Sequence, residues 1–160
     1  KYSIFELDSK EKLLLFDKKK IKYGQFQKNK IIKYLENDCS AILIHNKTEI
    51  MHIRWMAFTR KSKKYLEPWK INFNYGRDAV WGDAYTLPKY RNNKLNSISI
   101  NNCLKYLRNK KIKRVFLSVK RSNKININSY KNFNTNLYCK SIKIKFLGKN
   151  FYFNYNIYNS

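Results

Sequence analysis

The stretch Asp83-Ala84-Tyr85-Thr86-Leu87-Pro88-Lys89-Tyr90-Arg91-Asn92-Asn93-Lys94-Leu95-Asn96 decides how the rest of the chain is read. Its first part alternates like a strand and is stopped by Pro88, which cannot donate to a sheet ladder. A basic, asparagine-rich turn follows, and an amphipathic helix begins beyond it. Backbone N–H groups and Arg91 are thereby gathered at a helix N-terminus, where the macrodipole and unbonded amides favour a phosphate. The stretch predicts an anion site.

Downstream of it, residues 94–109 carry Ile100, Cys103, Leu104 and Leu107 at the i, i+3, i+4, i+7 spacing of a helix with one core face. Residues 114–119 (R-V-F-L-S-V) read as a buried strand. A βα crossover reaches it, so it is expected to run parallel to the strand before the turn. A further helix is predicted over 123–132, then two strands over 138–146 and 151–158 with Gly148-Lys149-Asn150 as a hairpin turn. Upstream, 79–86, 49–58 and 41–45 read as strands, the last two joined by a turn at Asn46-Lys47. Alternation places Ile50, His52, Arg54 and Met56 on one face of the 49–58 strand, and Met51, Ile53, Trp55 and Ala57 on the other. Residues 22–36 are expected to be helical, with Asn37-Asp38 ending the helix. Residues 2–8 suggest a short or edge strand, and 13–16 form a second apolar run. The basic segment 59–76, which contains Pro68, reads as a long connection, a lid over a site.

A chain of 160 residues has the size of one domain, and 1–160 is taken as a single unit. The first residue is Lys1 rather than Met, so residues upstream are expected. Hydrophobic content of 43% and aromatic content of 16% exclude a disordered chain. Thirty-five Lys and Arg against ten Asp and Glu give a net charge of +25, which raises nucleic acid as a partner. The lysines are spread along the chain and accompanied by abundant Asn, Ile and Tyr, all with A/T-rich codons. Codon bias therefore accounts for much of the charge, and nucleic acid is not the favoured partner. Cys39, Cys103 and Cys139 have neither metal-ligand spacing nor a disulfide framework. No metal is implied, and reduced thiols in a cytoplasmic protein are the expectation. No apolar run reaches the ~20 residues of a membrane span, and no signal-peptide pattern opens the chain.

Three of these segments, in this order, resemble motifs of the GNAT (Gcn5-related) N-acetyltransferases. Y-T-L-P-K-Y-R-N-N-K-L-N at 85–96 is similar to the family's acetyl-CoA strand and pyrophosphate loop. I-K-R-V-F-L-S-V at 112–119 is similar to the following strand, and N-K-I-N-I-N-S-Y at 123–130 to the asparagine-to-tyrosine helix. The resemblance implies an α/β fold (α+β in some schemes) with a mixed, mostly antiparallel central sheet of six or seven strands. It also implies helices on both faces and a splayed parallel pair at the cofactor. The implied activity is transfer of acetyl from acetyl-CoA to an amine by direct attack, in a monomer or homodimer. A small molecule or amino sugar is the favoured acceptor.

By the same resemblance, Tyr85, Thr86 and Leu87 pair with the pantetheine arm. Arg91, Asn92, Asn93, Lys94, Leu95 and Asn96 hold the pyrophosphate, Asn123 helps fix the cofactor, and Tyr130 protonates the departing thiolate. The family's loop glycines are replaced here by Lys94 and Asn96. Glycine gives close approach and positive φ, so a weakened CoA-binding or interaction module is the alternative reading. The residues themselves add two base candidates. His52 lies mid-strand with an ordinary pKa of ~6.5, and serves either as a base or as a hydrogen-bonded structural histidine. Asp83 shares a strand face with Tyr85, where it binds or deprotonates an ammonium group or forms an ion pair. Glu67, Trp69 and Arg77 are further candidates to line an acceptor pocket.

Overall fold

The run Ile-Met-His-Ile-Arg-Trp-Met-Ala at Ile50–Ala57 is the centre of the main sheet, because both of its faces are covered and its side chains are almost all buried. In the computed structural model, which describes residues 1–67 and 69–155, the elements follow in the order β1 (Ser3–Leu7), α1 (Lys10–Asp17), α2 (Lys28–Glu36), β2 (Ser40–His45), β3 (Ile50–Ala57), α3 (Arg60–Leu66), β4 (Asp78–Thr86), α4 (Leu95–Asn109), β5 (Arg114–Leu117), α5 (Lys124–Lys131), β6 (Lys140–Phe146) and β7 (Lys149–Tyr155). They fall into two compact units. One comprises residues 1–67 and 74–117, the other, among the described residues, 69–73 and 118–155.

The first unit holds a sheet of order β1-β2-β3-β4-β5. The first three pairings are antiparallel and β4–β5 is parallel. Period-two alternation then sorts the core. Leu43, Ile53 and Trp55 pack with Leu13 and Phe16 of α1 and with Ile31, Tyr34 and Leu35 of α2. Their neighbours Ile42, Arg54 and Met56 turn to the opposite face, where Arg54 bonds Ser99 of α4. Helices thus cover both faces of a mostly antiparallel sheet. The seven strands are all present, divided between this five-stranded sheet and a two-stranded one, β6–β7.

The parallel strand β5 is anchored by an ion pair. Arg114 Nε and Nη2 reach Asp78 Oδ1 and Oδ2 at 2.9 and 2.8 Å, and the Asn74 N–H donates to Oδ2 at 2.7 Å. Burial pushes the Asp78 carboxyl upward, but the Arg114 and Asn74 hydrogen bonds outweigh it and hold its pKa below the ordinary value. The β4–β5 ladder runs only from Asp78↔Arg114 to Trp81↔Leu117. Past Trp81, β4 continues alone on that edge among the described residues, so the parallel pair opens toward the Thr86 end.

Several local expectations are corrected. Residues 59–76 are not a bare connection, because Thr59 and Ser62 form a reciprocal capping box that nucleates α3. The side chain of Leu66 then fills the space over Gly82, where an added Cβ would lie 2.3 Å from it. The apolar run 13–16 belongs to a helix capped by Ser9, with Leu13 and Phe16 inward and Leu14 and Leu15 exposed. The helix expected from residue 22 starts at Lys28, after a separate 3-10 turn at Gly24–Phe26. Ile50 leaves its expected face, since a register irregularity at Ile44/His45 places it in the same cluster as Ile53 and Trp55.

In the second unit, Asn123 caps α5 by accepting from the Asn126 N–H at 3.1 Å. Strands β6 and β7 pair from Lys140↔Tyr155 to Phe146↔Lys149. Leu147 and Gly148, with φ of 45° and 74°, make a tighter turn than the glycine-led one expected. The second strand was expected to run to residue 158; its last three positions lie outside the described residues. Trp69 packs edge-on against Tyr152 with ring centroids 4.8 Å apart.

Candidate active site

The opening stretch folds as a strand, a tight turn and a helix. Leu87 N–H donates to Met51 O at 3.0 Å and ends β4, after which Pro88–Tyr90 form one 3-10 turn. Asn92 takes φ of 65° and Lys94 φ of 56° with ψ of 14°, both left-handed. The loop therefore makes its turns without glycine, one at an asparagine, which tolerates this region, and one at a lysine, which is strained there. Asn96 needs no glycine, because it lies inside α4. Asn93 steadies the turn by donating to Tyr90 O and Arg91 O at 3.3 and 3.2 Å. Tyr90 donates to Glu49 Oε1 at 2.8 Å. Arg91, Asn92, Asn93 and Lys94 are exposed, and α4 starts with neither a side-chain cap nor an acidic residue in its first turn. Such a helix end is suited to an external anion.

On the α2 face of the same strands lies an open cavity of about 330 Å³. Phe26, Ile31, Tyr34, Ile53 and Trp55 form its apolar walls, and Gln25, Lys30, Asp83 and Tyr85 its polar rim. Tyr34 stacks on Trp55 with centroids 4.2 Å apart and 14° between the planes. The Tyr34 hydroxyl donates to Asp83 Oδ2, and Lys30 Nζ stands 3.8 Å from the same oxygen. Burial, then the Asp83 hydrogen bond and charge, raise the Tyr34 pKa well above its ordinary value and keep it a donor. The Asp83 side chain is 67% exposed, open to an incoming cation. Tyr85 closes one side, donating to Gln25 Oε1 at 2.9 Å and meeting Phe26 edge-on.

His52 and Asp83 are on neighbouring strands yet do not meet. His52 is opposite Thr86 and shares a face with Arg54, whereas Asp83 turns to Tyr34 on the other side. The imidazole is 1% exposed, its Nδ1 lies 2.7 Å from Thr86 Oγ1, and Nε2 has no hydrogen-bond partner among the described residues. Burial and then the Arg54 charge lower its pKa to about 3, so it is neutral at physiological pH. Of the two roles open to His52, this environment supports the structural one.

Arg54, Tyr34 and Trp55 were not singled out from the sequence. An arginine amid I-M-H-I-R-W-M-A was a visible signal, since a charge in a strand with two buried faces needs specific partners. Glu67 is buried at the end of α3, and neither it nor Arg77 is among the residues lining the cavity. Trp69, Asn123 and Tyr130 belong to the second unit. Among the described residues, no group of three or more His, Cys, Asp and Glu is placed to hold a metal, and no helix is long and apolar enough to cross a membrane.

The model of the acetyltransferase (GNAT) family matches residues 49–134, over half of the chain. The chain belongs to the GNAT family. Its matched region runs from β3 through the loop and α4 to α5, the part in which the three motifs were recognised. No curated protein sequence matches the chain. Among solved structures, it is similar to the aminoglycoside N-acetyltransferase AAC(6')-Iy in complex with CoA, at 11% identity and a TM-score of 0.57, over 84% of this chain and 92% of that one. It is also similar to glucosamine-6-phosphate N-acetyltransferase from Arabidopsis thaliana, at 15% identity and a TM-score of 0.56, over 90% and 96% of the two chains. A third is a predicted acetyltransferase from Clostridium acetobutylicum with acetyl-CoA, at 15% identity and a TM-score of 0.56, over 85% and 90%. At these identities the likeness shows the GNAT fold.

Proposed function

We propose that this GNAT protein is an N-acetyltransferase that moves acetyl from acetyl-CoA to the primary amine of a small molecule or amino sugar. The observation that carries the reading is the pair of features at the two ends of residues 83–95. An uncapped helix end with two left-handed loop residues is suited to pyrophosphate, and an aromatic cavity edged by Asp83 is suited to a cationic amine. Solved relatives of the same fold include proteins described with CoA, acetyl-CoA, aminoglycoside and glucosamine-6-phosphate chemistry.

In this reading the open edge of Tyr85, Thr86 and Leu87 pairs with the pantetheine arm. The pyrophosphate rests on the turn from Arg91 to Asn96, and the resemblance gives Asn123 a supporting role toward the cofactor. Asp83 draws the ammonium group into the cavity and takes its proton through water. The amine nitrogen then forms a bond to the acetyl carbon and the carbon–sulfur bond breaks. The proton that the nitrogen sheds in becoming an amide returns through water to the acid that protonates the departing thiolate, the role that the resemblance gives to Tyr130. Apolar walls from Trp55 and Tyr34 suit the flat or ring-bearing body of such an acceptor. Acetyl-CoA binding measured by calorimetry, followed by a thiol-release assay against a panel of small and sugar amines, tests the reading. Absence of binding at millimolar acetyl-CoA sinks it.

The alternative, a CoA-binding module with little turnover, has one observation in its favour, the lysine at left-handed position 94. Binding without thiol release across the panel distinguishes it.

A further inference from the structure

We propose that Arg54 is a positioning residue for the pyrophosphate turn, clamping the first turn of α4 from beneath and placing a buried positive charge behind its amides. This rests on the acetyl-CoA reading above. Arg54 is 0% exposed, in the middle of β3. Its Nε donates to Ser99 Oγ at 3.0 Å and its Nη2 donates to Asn96 Oδ1. Ser99 Oγ passes the contact on, donating to Asn96 O at 2.8 Å. One planar guanidinium therefore holds two α4 residues that lie one turn apart, immediately after left-handed Lys94.

The chemistry of the donors makes the orientation specific. A guanidinium only donates, so the Asn96 oxygen must face it and the amide nitrogen must face away. The Trp81 ring lies 5.4 Å from the guanidinium carbon and supports the cation without cancelling it. His52, on the same face, stays neutral and adds no competing charge.

This arrangement is poor design for an empty helix. Cations destabilise a helix N-terminus and acids stabilise it, yet α4 has Lys94 at its cap, Arg54 below and no acid in its first turn. Clustered positive charge at the donor end becomes favourable when a doubly charged anion arrives. A buried guanidinium acts there through a less screened medium than Arg91 or Lys94 at the surface. Arg54 itself touches no ligand and works through Asn96, Ser99 and its field.

The test compares CoA with pantetheine, which has the same arm and no pyrophosphate, by competition titration against wild type, Arg54→Met and Arg54→Lys. Loss of a charged hydrogen-bond network should weaken CoA binding by about tenfold or more in Arg54→Met. Pantetheine affinity should be unchanged, and Arg54→Lys, which restores charge but not the fork, should fall between. Ser99→Ala and Asn96→Ala each remove one contact to Arg54 and should weaken CoA alone by several-fold, which keeps the test decisive if Arg54→Met does not fold. Equal losses for CoA and pantetheine, or no loss for CoA, overturn the proposal. A wild-type protein that binds neither ligand overturns the acetyl-CoA reading instead.

Discussion

The two faces of the β3–β4 pair are built from adjacent residues and have opposite characters. On the α2 face, Ile53, Trp55, Asp83 and Tyr85 border an open cavity whose carboxylate is exposed. On the α4 face, His52, Arg54 and Thr86 are tied into a hydrogen-bonded layer, with the histidine and arginine fully buried. Strand alternation alone separates them, since each change of one residue changes the face. A single strand pair thereby carries an exposed carboxylate on one face and a positive, desolvated guanidinium on the other. In the acetyl transfer proposed above, the first face takes a cation and the second backs an anion, so the two call for opposite charge.

The largest effect that tests this division is on chemistry at the open face. Asp83→Asn keeps the shape and the Tyr34 contact but removes the charge and the base. Turnover should fall by about 10²–10⁴, the usual contribution of a general acid or base, while CoA affinity stays within twofold. Steady-state rates with calorimetry on the same sample measure both. An unchanged rate removes Asp83 from the mechanism. Next in size is the wall itself. Trp55→Ala deletes the ring that stacks on Tyr34 and should cost about 3–5 kcal/mol of stability, read by urea unfolding.

How much of this was legible varied with the reach of the interaction. The turn after β4, the parallel strand and α4 followed from local signals: Pro88, the alternation before it, and the spacing of Ile100, Cys103 and Leu107. The faces of β3 were also correct from His52 onward. Ile50 was misplaced because a bulge resets the period, and no single-strand pattern reports a bulge. Helix α3 was missed because Thr59-x-x-Ser62 is a weaker capping signal than the usual partner glutamate, and the basic composition around it suggested a loop. His52 and Asp83, the two base candidates, lie on neighbouring strands without meeting. The parity of their register, His52 against Thr86 and Ile53 against Tyr85, sets them on opposite sides. That parity is a long-range fact absent from either segment.

The closed face should reveal itself through pH. The His52 pKa is about 3 in the fold and ~6.5 when unfolded, so below ~6.5 the unfolded chain binds the extra proton and the fold does not. Its contribution is complete above ~6.5 and is lost as pH falls toward 3. One such group gives a slope of up to about 1.4 kcal/mol per pH unit within that window. Urea unfolding at pH 7, 6 and 5 should show the decline, and His52→Gln should flatten it. A slope identical in the variant would mean that the imidazole is not the group responsible.

The smallest effect, and the most discriminating, concerns Lys94. A lysine held at φ of 56° is strained by about 1–2 kcal/mol relative to a residue free to adopt that region. Lys94→Gly removes the strain but also adds backbone freedom to the unfolded chain, so the net gain in stability should be no more than about 1 kcal/mol. Its effect on CoA separates two accounts of the loop. If the scaffold of Asn93, Arg54 and Asn96 already holds the amides in place, the substitution loses one surface charge and gains only closer approach, and affinity should move less than about threefold in either direction. A gain of a hundredfold would show instead that the lysine obstructs the phosphate. The open face would then be serving a protein in which the opposite face is impaired.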